Sequence, residues 1–231
     1  MTVELLGAAG KSFLFVFAAL LPILNPAATA PIFLGLTEGA SASTRALLAR
    51  RIARNMVALM LGSMLVGSYV LDFFGISLPI VRVGGGWLLA AMAWRLLNTT
   101  HFSEDSRAGL AEAFTPEMAR RQAFYPLTFP VSCGPGSIAA AITVGVSLAD
   151  ARLSLSLARM GGGALALLAI GLIMYLAFRY AQRLLRPLGE AGTIIFLRLS
   201  AFILLCLGVQ IVWDGLSELL GGLIAPLVPK A

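Results

Sequence analysis

"LPILNPAATAPI" occupies residues 21–32, and its reading decides the fold. It places Pro22, Pro26 and Pro31 inside a run, 12–37, that holds no charged residue. A run of that length satisfies the roughly 20 helical residues that cross a bilayer. Proline, however, removes a backbone donor and clashes with the carbonyl four residues earlier. Three helix breakers therefore stand where the composition calls for a membrane helix.

The rest of the chain sets the context. Its 231 residues are 59% hydrophobic and only 12% charged, against about 25% charged in soluble domains. A soluble protein this apolar would carry large adhesive patches. Further charge-free runs lie at 55–71, 83–94, 122–149, 160–178 and 199–213. We therefore expect an all-α polytopic membrane protein with transmembrane helices at roughly 12–37, 55–75, 77–97, 123–148, 158–180 and 193–214. The net charge of +6 points to membrane orientation rather than nucleic acid. Lys11 and the "ATA" at 28–30 imitate a signal peptide, but Pro22 and Pro31 oppose cleavage, so the first segment is read as an uncleaved span. Cys133 and Cys206 sit in apolar runs and read as buried small hydrophobes. With His101 in a polar loop and no His/Cys/carboxylate cluster, neither a metal site nor an enzyme is expected.

The opening stretch has a counterpart. Shifted by 104 residues, it meets "YPLTFPVSCGPGSI" at 125–138, where Pro126, Pro130 and Pro135 repeat the same spacings. "LARRIA" at 48–53 resembles "LARMGG" at 157–162, and "VRVGGGWLLA" at 81–90 resembles "LRLSAFILLC" at 197–206. The expected organisation is a first three-helix repeat over 1–98, a cytoplasmic linker at 99–122, and a second repeat over 123–231. Three helices per half give the second half inverted topology, with helices 1 and 4 broken near the bilayer midplane. Inverted repeats with interrupted helices mark secondary transporters. A duplication kept only for packing would explain the repeat but not the matched breakers.

Lys and Arg set the sidedness. Arg45, Arg50, Arg51, Arg54, Arg95, Arg107, Arg120, Arg121, Arg179, Arg183 and Arg186 fall in the loops after segments one, three and five. That face is expected to be cytoplasmic, which puts both termini on the outer, periplasmic face.

A broken helix exposes free N–H groups at one end and free C=O groups at the other. The N-terminal ends suit a carboxylate and the C-terminal ends a cation, so paired breaks suit a small zwitterion. Candidate binding residues are Asn25, Pro26, Ala27, Ala28 and Thr29 in the first break. In the second they are Ser132, Cys133, Gly134, Pro135, Gly136 and Ser137. Arg82 and Arg198 flank short apolar runs and are candidates for gating or a charge pair, with Asp72 a partner for Arg82; snorkelling to the interface competes with that reading. "GGG" at 84–86 and 161–163 reads as close helix packing.

"NPAATAPIFLGLT" (25–37) and "PLTFPVSCGPGSI" (126–138) resemble the two signature stretches of the MarC family, also described as small neutral amino acid transporters. Asn25, Pro26, Pro31, Phe33, Leu36 and Thr37 match in the first; Pro126, Leu127, Pro130, Gly134, Pro135, Gly136 and Ile138 match in the second. Ala28 stands where the family usually has glycine, and Thr29 where asparagine is common. The resemblance implies a secondary transporter of small neutral amino acids, glycine- or alanine-like, in the inner membrane. Alternating access would move the solute, with coupling to H+ or Na+ left open and no other cofactor. An exporter of amino acids or related metabolites, and a passive small-solute channel, stand as alternatives. Expected partners are the amino acid and membrane lipid, not nucleic acid; a homo-oligomer is left open.

Overall fold

The computed structural model describes residues 2–37, 40–98 and 123–224. Helices occupy all six expected positions. α1 (Thr2–Leu24) and α2 (Pro26–Leu36) share one axis region, interrupted at Asn25; α3 (Ala42–Phe73) and α4 (Leu78–Asn98) complete the first half. The second half comprises a kinked segment (Ala123–Ser132), α5 (Pro135–Leu148), α6 (Leu153–Arg179), the short α7 (Ala181–Leu185), a 3₁₀ turn (Arg186–Leu188) and α8 (Gly189–Ile224). The expected linker at 99–122, with His101, lies outside the described residues.

Among the described residues, four helices are long and apolar enough to cross a membrane: Val3–Leu34, which runs through the break, Ala42–Phe73, Leu153–Arg179 and Ile194–Gly221. Pro135–Leu148 is a shorter apolar helix. α3 starts well before the expected residue 55, because the basic stretch is itself helical. There Leu48, Ala49, Ile52 and Ala53 are buried while Arg50 and Arg54 are exposed, an amphipathic turn pattern continuous with the apolar span. Ser41 starts this helix by accepting the Thr44 N–H at 3.1 Å, an N-cap.

Local sequence also explains the kinks. Tyr125 (φ −120°, ψ 124°) and Phe129 (φ −116°, ψ 126°) are extended within their segment. Each precedes a proline, whose ring excludes the helical conformation from the residue before it. The carbonyls left over are recovered by side chains. Thr128 Oγ1 donates to Ala123 O (2.6 Å), Ser132 Oγ to Leu127 O (2.6 Å), and the Cys133 N–H to Thr128 O (2.8 Å).

The main core joins Val16, Leu20 and Leu24 of α1 to Ile52, Met56 and Met60 of α3 and to Leu167, Ile170 and Met174 of α6. All three sets repeat at helical spacing, so each helix turns one face inward. Phe33 stacks on Phe178 at 4.7 Å between ring centroids. A second cluster, Leu89, Ala93 and Leu204, sits between α4 and α8. The outward faces carry Phe15, Tyr69, Trp87, Trp94, Leu172, Phe202 and Trp213, all exposed, an apolar surface suited to lipid. Cys206 is exposed on α8 and Cys133 buried, both free thiols. The expectation of two buried cysteines is thus corrected for Cys206, which faces outward from the α4–α8 pair.

Both glycine triplets are packing devices. A methyl on Gly86 would meet Gly208 O and Val212 N at 2.8 Å, and one on Gly208 would meet Ala90 N at 2.6 Å. Backbone thus lies against backbone between α4 and α8. A methyl on Gly163 would meet Leu148 Cδ1 at 2.9 Å, whereas one on Gly84 or Gly161 would meet open space. Gly208→Ala should lower stability by about 1–3 kcal/mol, the usual cost of overpacking, while Gly84→Ala should be neutral or mildly stabilising. Unfolding of the two purified variants in detergent, followed side by side, checks the contrast.

Candidate functional site

Asn25 is the hinge on which the first break turns. Its backbone is left-handed (φ 43°), a conformation that asparagine tolerates better than most residues. Its N–H still closes α1 on Leu21 O (2.9 Å). Its Oδ1 accepts the Ala28 N–H at 3.1 Å, capping α2, and its Nδ2 reaches the Ser200 carbonyl of α8 at 3.5 Å. Pro26 then takes the first helical position, where its missing N–H costs nothing. Thr29 Oγ1 donates back to Asn25 O (3.1 Å) and Pro26 O (3.3 Å).

The second break is built the same way with different side chains. Gly134 is the extended N-cap residue and Pro135 opens α5. Ser137 Oγ donates to Gly134 O at 2.8 Å. Asn25-Pro26 therefore corresponds to Gly134-Pro135. This corrects the expected pairing of Pro26 with Pro130 and of Pro31 with Pro135. Pro31 lies inside α2 and Pro22 inside α1; only the N-cap–proline pairs share a structural role. The offset between those pairs is also the one relating "LARRIA" to "LARMGG".

The two breaks meet. A small cavity of about 40 Å³ is lined by Asn25, Ala28 and Thr29 from the first and by Ser132, Gly134, Pro135, Gly136 and Ser137 from the second. Three expected residues are not in its wall. Ala27 is exposed, Cys133 is buried with its thiol toward Thr128 O (3.4 Å), and Pro26 is spent on starting α2. Ile23, Leu24 and Ile32 beside the first break, Val131 beside the second, Leu88, Leu89 and Met92 of α4 and Leu204 of α8 complete the wall. Sequence reasoning missed these eight, because ordinary apolar helix residues carry no mark of a cavity. The signal available was indirect: Gly85, Gly86 and Gly208 draw α4 and α8 against the breaks. A methyl on Gly136 would meet Gly85 O and Leu89 Cβ, each at 2.8 Å.

The chemistry of the cavity follows from these bonds. Each of the Thr29, Ser132 and Ser137 hydroxyls spends its proton on a local carbonyl, which leaves oxygen lone pairs as acceptors. The first turns of α2 and α5 bring partial positive charge and spare N–H groups. The wall thus offers acceptors for an ammonium and helix N-termini for a carboxylate, within an apolar shell. At its present volume it holds water rather than a solute.

The expected Arg82–Asp72 pair is corrected. Arg82 instead forms an ion pair with Glu218 of α8, and its Nε donates to Thr143 Oγ1 of α5 at 3.3 Å. Gly215 is the reason. A methyl on it would meet Pro79 O at 2.7 Å and Arg82 Cβ at 3.1 Å, so α8 runs close to α4 there and Glu218, one turn further along, faces Arg82. Asp72 and Arg198 are both exposed.

The apolar outer belt, the membrane-length helices and a cavity built from paired helix breaks define a helical integral membrane protein. The sequence profile described as "MarC family integral membrane protein" matches residues 10–220. The chain belongs to the MarC family. It is similar to the "UPF0056 inner membrane protein MarC" of Escherichia coli O1:K1 / APEC, at 30% identity over 87% of this chain and 92% of the relative. The proteins of the same name from Escherichia coli (strain K12) and Shigella flexneri are 29% identical over the same shares. No solved structure matches the chain.

Asn25→Ala should destabilise the protein by about 1–3 kcal/mol, combining loss of the cap with strain in the left-handed backbone. Asn25→Gly, which keeps that backbone free of strain, should cost less than half as much. Equilibrium unfolding of both variants in detergent gives the comparison.

Proposed function

We propose that this protein is a secondary transporter of small neutral amino acids, of glycine or alanine size, in the inner membrane. The single observation that carries the reading is the common cavity: two helix breaks, more than a hundred residues apart in sequence, line one small polar space. A zwitterion needs both kinds of partial charge, and paired half-helices supply both.

Other features support it. If α1/α2, α3 and α4 exchange roles with α5, α6 and α8, the packing partners exchange with them. α1 lies along α6 as α3 lies along α5, while α3–α6 and α4–α8 map onto themselves. That is the pattern of two inverted three-helix repeats about a central axis, which would give six spans. The arginines after segments one, three and five place those loops in the cytoplasm and both termini outside. The inner-membrane assignment follows the name carried by the relatives. A cavity of only about 40 Å³ leaves no continuous pore through the breaks, which favours a transporter over an open channel. Admitting a solute requires the wall of Leu88, Leu89 and Met92 to withdraw, and α4 is the helix best placed to do so.

Counterflow in proteoliposomes tests the reading. Vesicles preloaded with unlabelled alanine should accumulate labelled glycine, alanine and serine transiently and saturably. Ala28→Leu, which fills the cavity, should abolish this while the protein remains monodisperse. Linear, non-saturable flux would mark a channel, and no flux or binding of any small amino acid would defeat the substrate assignment.

The Arg82–Glu218–Thr143 contact ties α4 to α5 and α8, so it should control the movement of α4. Arg82→Lys and Glu218→Gln should each change the counterflow rate at least about threefold, the low end of the scale of one ordinary hydrogen bond, as suits a partly exposed pair. Unchanged rates in both remove this contact from the transport cycle.

A further inference from the structure

We propose that a second, larger cavity, between α1, α5 and α6, is a headgroup site that holds the phosphate of an anionic phospholipid. The inference is independent of the transport reading. The cavity has a volume of about 630 Å³, and its wall includes Glu4, Lys11, Ser12, Phe15, Arg152 and Arg159.

Depth is the first argument. Lys11 immediately precedes the charge-free run 12–37, Asp150 follows the run 122–149, and Arg159 precedes the run 160–178. Three packed elements thus turn polar at one level. Lys11 is separated from Leu24, in the wall of the central cavity, by about 20 Å of helix at about 1.5 Å per residue. Half the hydrocarbon thickness is only about 15 Å. The cavity therefore lies at headgroup depth, where phosphates are.

Charge is the second. Arg152 pairs with Glu4 (3.1 Å) and Arg159 with Asp150 (3.3 Å). Lys11 has no ion-pair partner among the described residues. One cation is left uncompensated, which matches the single negative charge of a phosphodiester. Each arginine commits one nitrogen to its carboxylate, so both keep N–H donors for phosphate oxygens. α6 also begins here, its N-cap Arg152 making no side-chain cap, which leaves first-turn N–H groups and the positive helix end beside the site.

The wall composition selects lipid over a soluble anion. Phe15, 48% exposed, and Leu155 line the same space as the cations. Leu14 and Leu153 beside them are exposed, an apolar track along which acyl chains can lie. Towards the central cavity, buried Val16, Leu20 and Val144 close the path, so the space is not continuous with the solute site. A basic recess between membrane helices with an apolar flank has the chemistry of an anionic-lipid site.

The test uses full-length protein in neutral detergent. Native mass spectrometry measures lipid retention and thermal unfolding measures stabilisation, with phosphatidylglycerol, phosphatidylcholine or inorganic phosphate added. Wild type should retain phosphatidylglycerol about fivefold better than phosphatidylcholine, the contribution of one basic side chain near a membrane surface. Lys11→Gln should erase that preference, and Lys11→Arg should restore it. Lys11 is exposed, so both variants should unfold at the wild-type temperature without lipid. Inorganic phosphate should not stabilise. Equal retention of the two lipids, or a preference unchanged in Lys11→Gln, overturns the proposal. Lys11-dependent stabilisation by inorganic phosphate matching that by phosphatidylglycerol overturns it in favour of a soluble-anion site.

Discussion

A backbone amide or carbonyl freed inside a bilayer has no water to bond, and this constraint governs the molecule. Pro22 and Pro31, inside helices, each deny a carbonyl its helical partner, and Pro126 and Pro130 force the residue before them out of the helix. The protein answers with short-range substitutes. Asn25 caps α2 with its side chain and reaches α8 with its amide nitrogen. Thr29, Thr128, Ser132 and Ser137 turn their hydroxyls back on nearby carbonyls. Three of these hydroxyls, of Thr29, Ser132 and Ser137, belong to residues that line the cavity, so the groups that mend the breaks are also the ones that make its wall polar.

Close packing keeps water and lipid away from the breaks. α4 and α8 touch through glycine backbone, and Gly136 brings α5 against Gly85 and Leu89. Side chains of any size at these positions would push the α4 wall outward. The same closeness leaves the cavity at only about 40 Å³. A structure sealed this tightly serves transport only if α4 can part from the breaks. The Arg82 contact with Glu218 and Thr143 is a polar tie holding it there.

Much of this was legible in the sequence, and the reasons are specific. Charge-free runs located the helices, since only apolar segments of about 20 residues cross a bilayer unaided. The prolines located the breaks, since their effect on the backbone is local. Their exact correspondence was not legible. Matching proline to proline by spacing gave Pro26 to Pro130, whereas the N-cap residue before the proline sets the true pairing, Asn25-Pro26 with Gly134-Pro135. Asparagine and glycine look unlike in sequence but both permit a helix start. The α4 wall and the Arg82–Glu218 pair depend on which helices are neighbours, and no local pattern records that. Asp72 was nearer in sequence to Arg82; the close approach at Gly215 brought Glu218 instead.

For the proposed transport cycle, the two breaks must form one mid-membrane site that opens in turn to each side. Substituted-cysteine accessibility measures this directly. With Cys133 and Cys206 replaced by serine, Ala28→Cys is challenged with a membrane-impermeant thiol reagent from the outside and, in inside-out vesicles, from the cytoplasmic side. Alternating access requires modification from both sides and protection from both by saturating alanine. Modification from one side only, or from neither, rules it out.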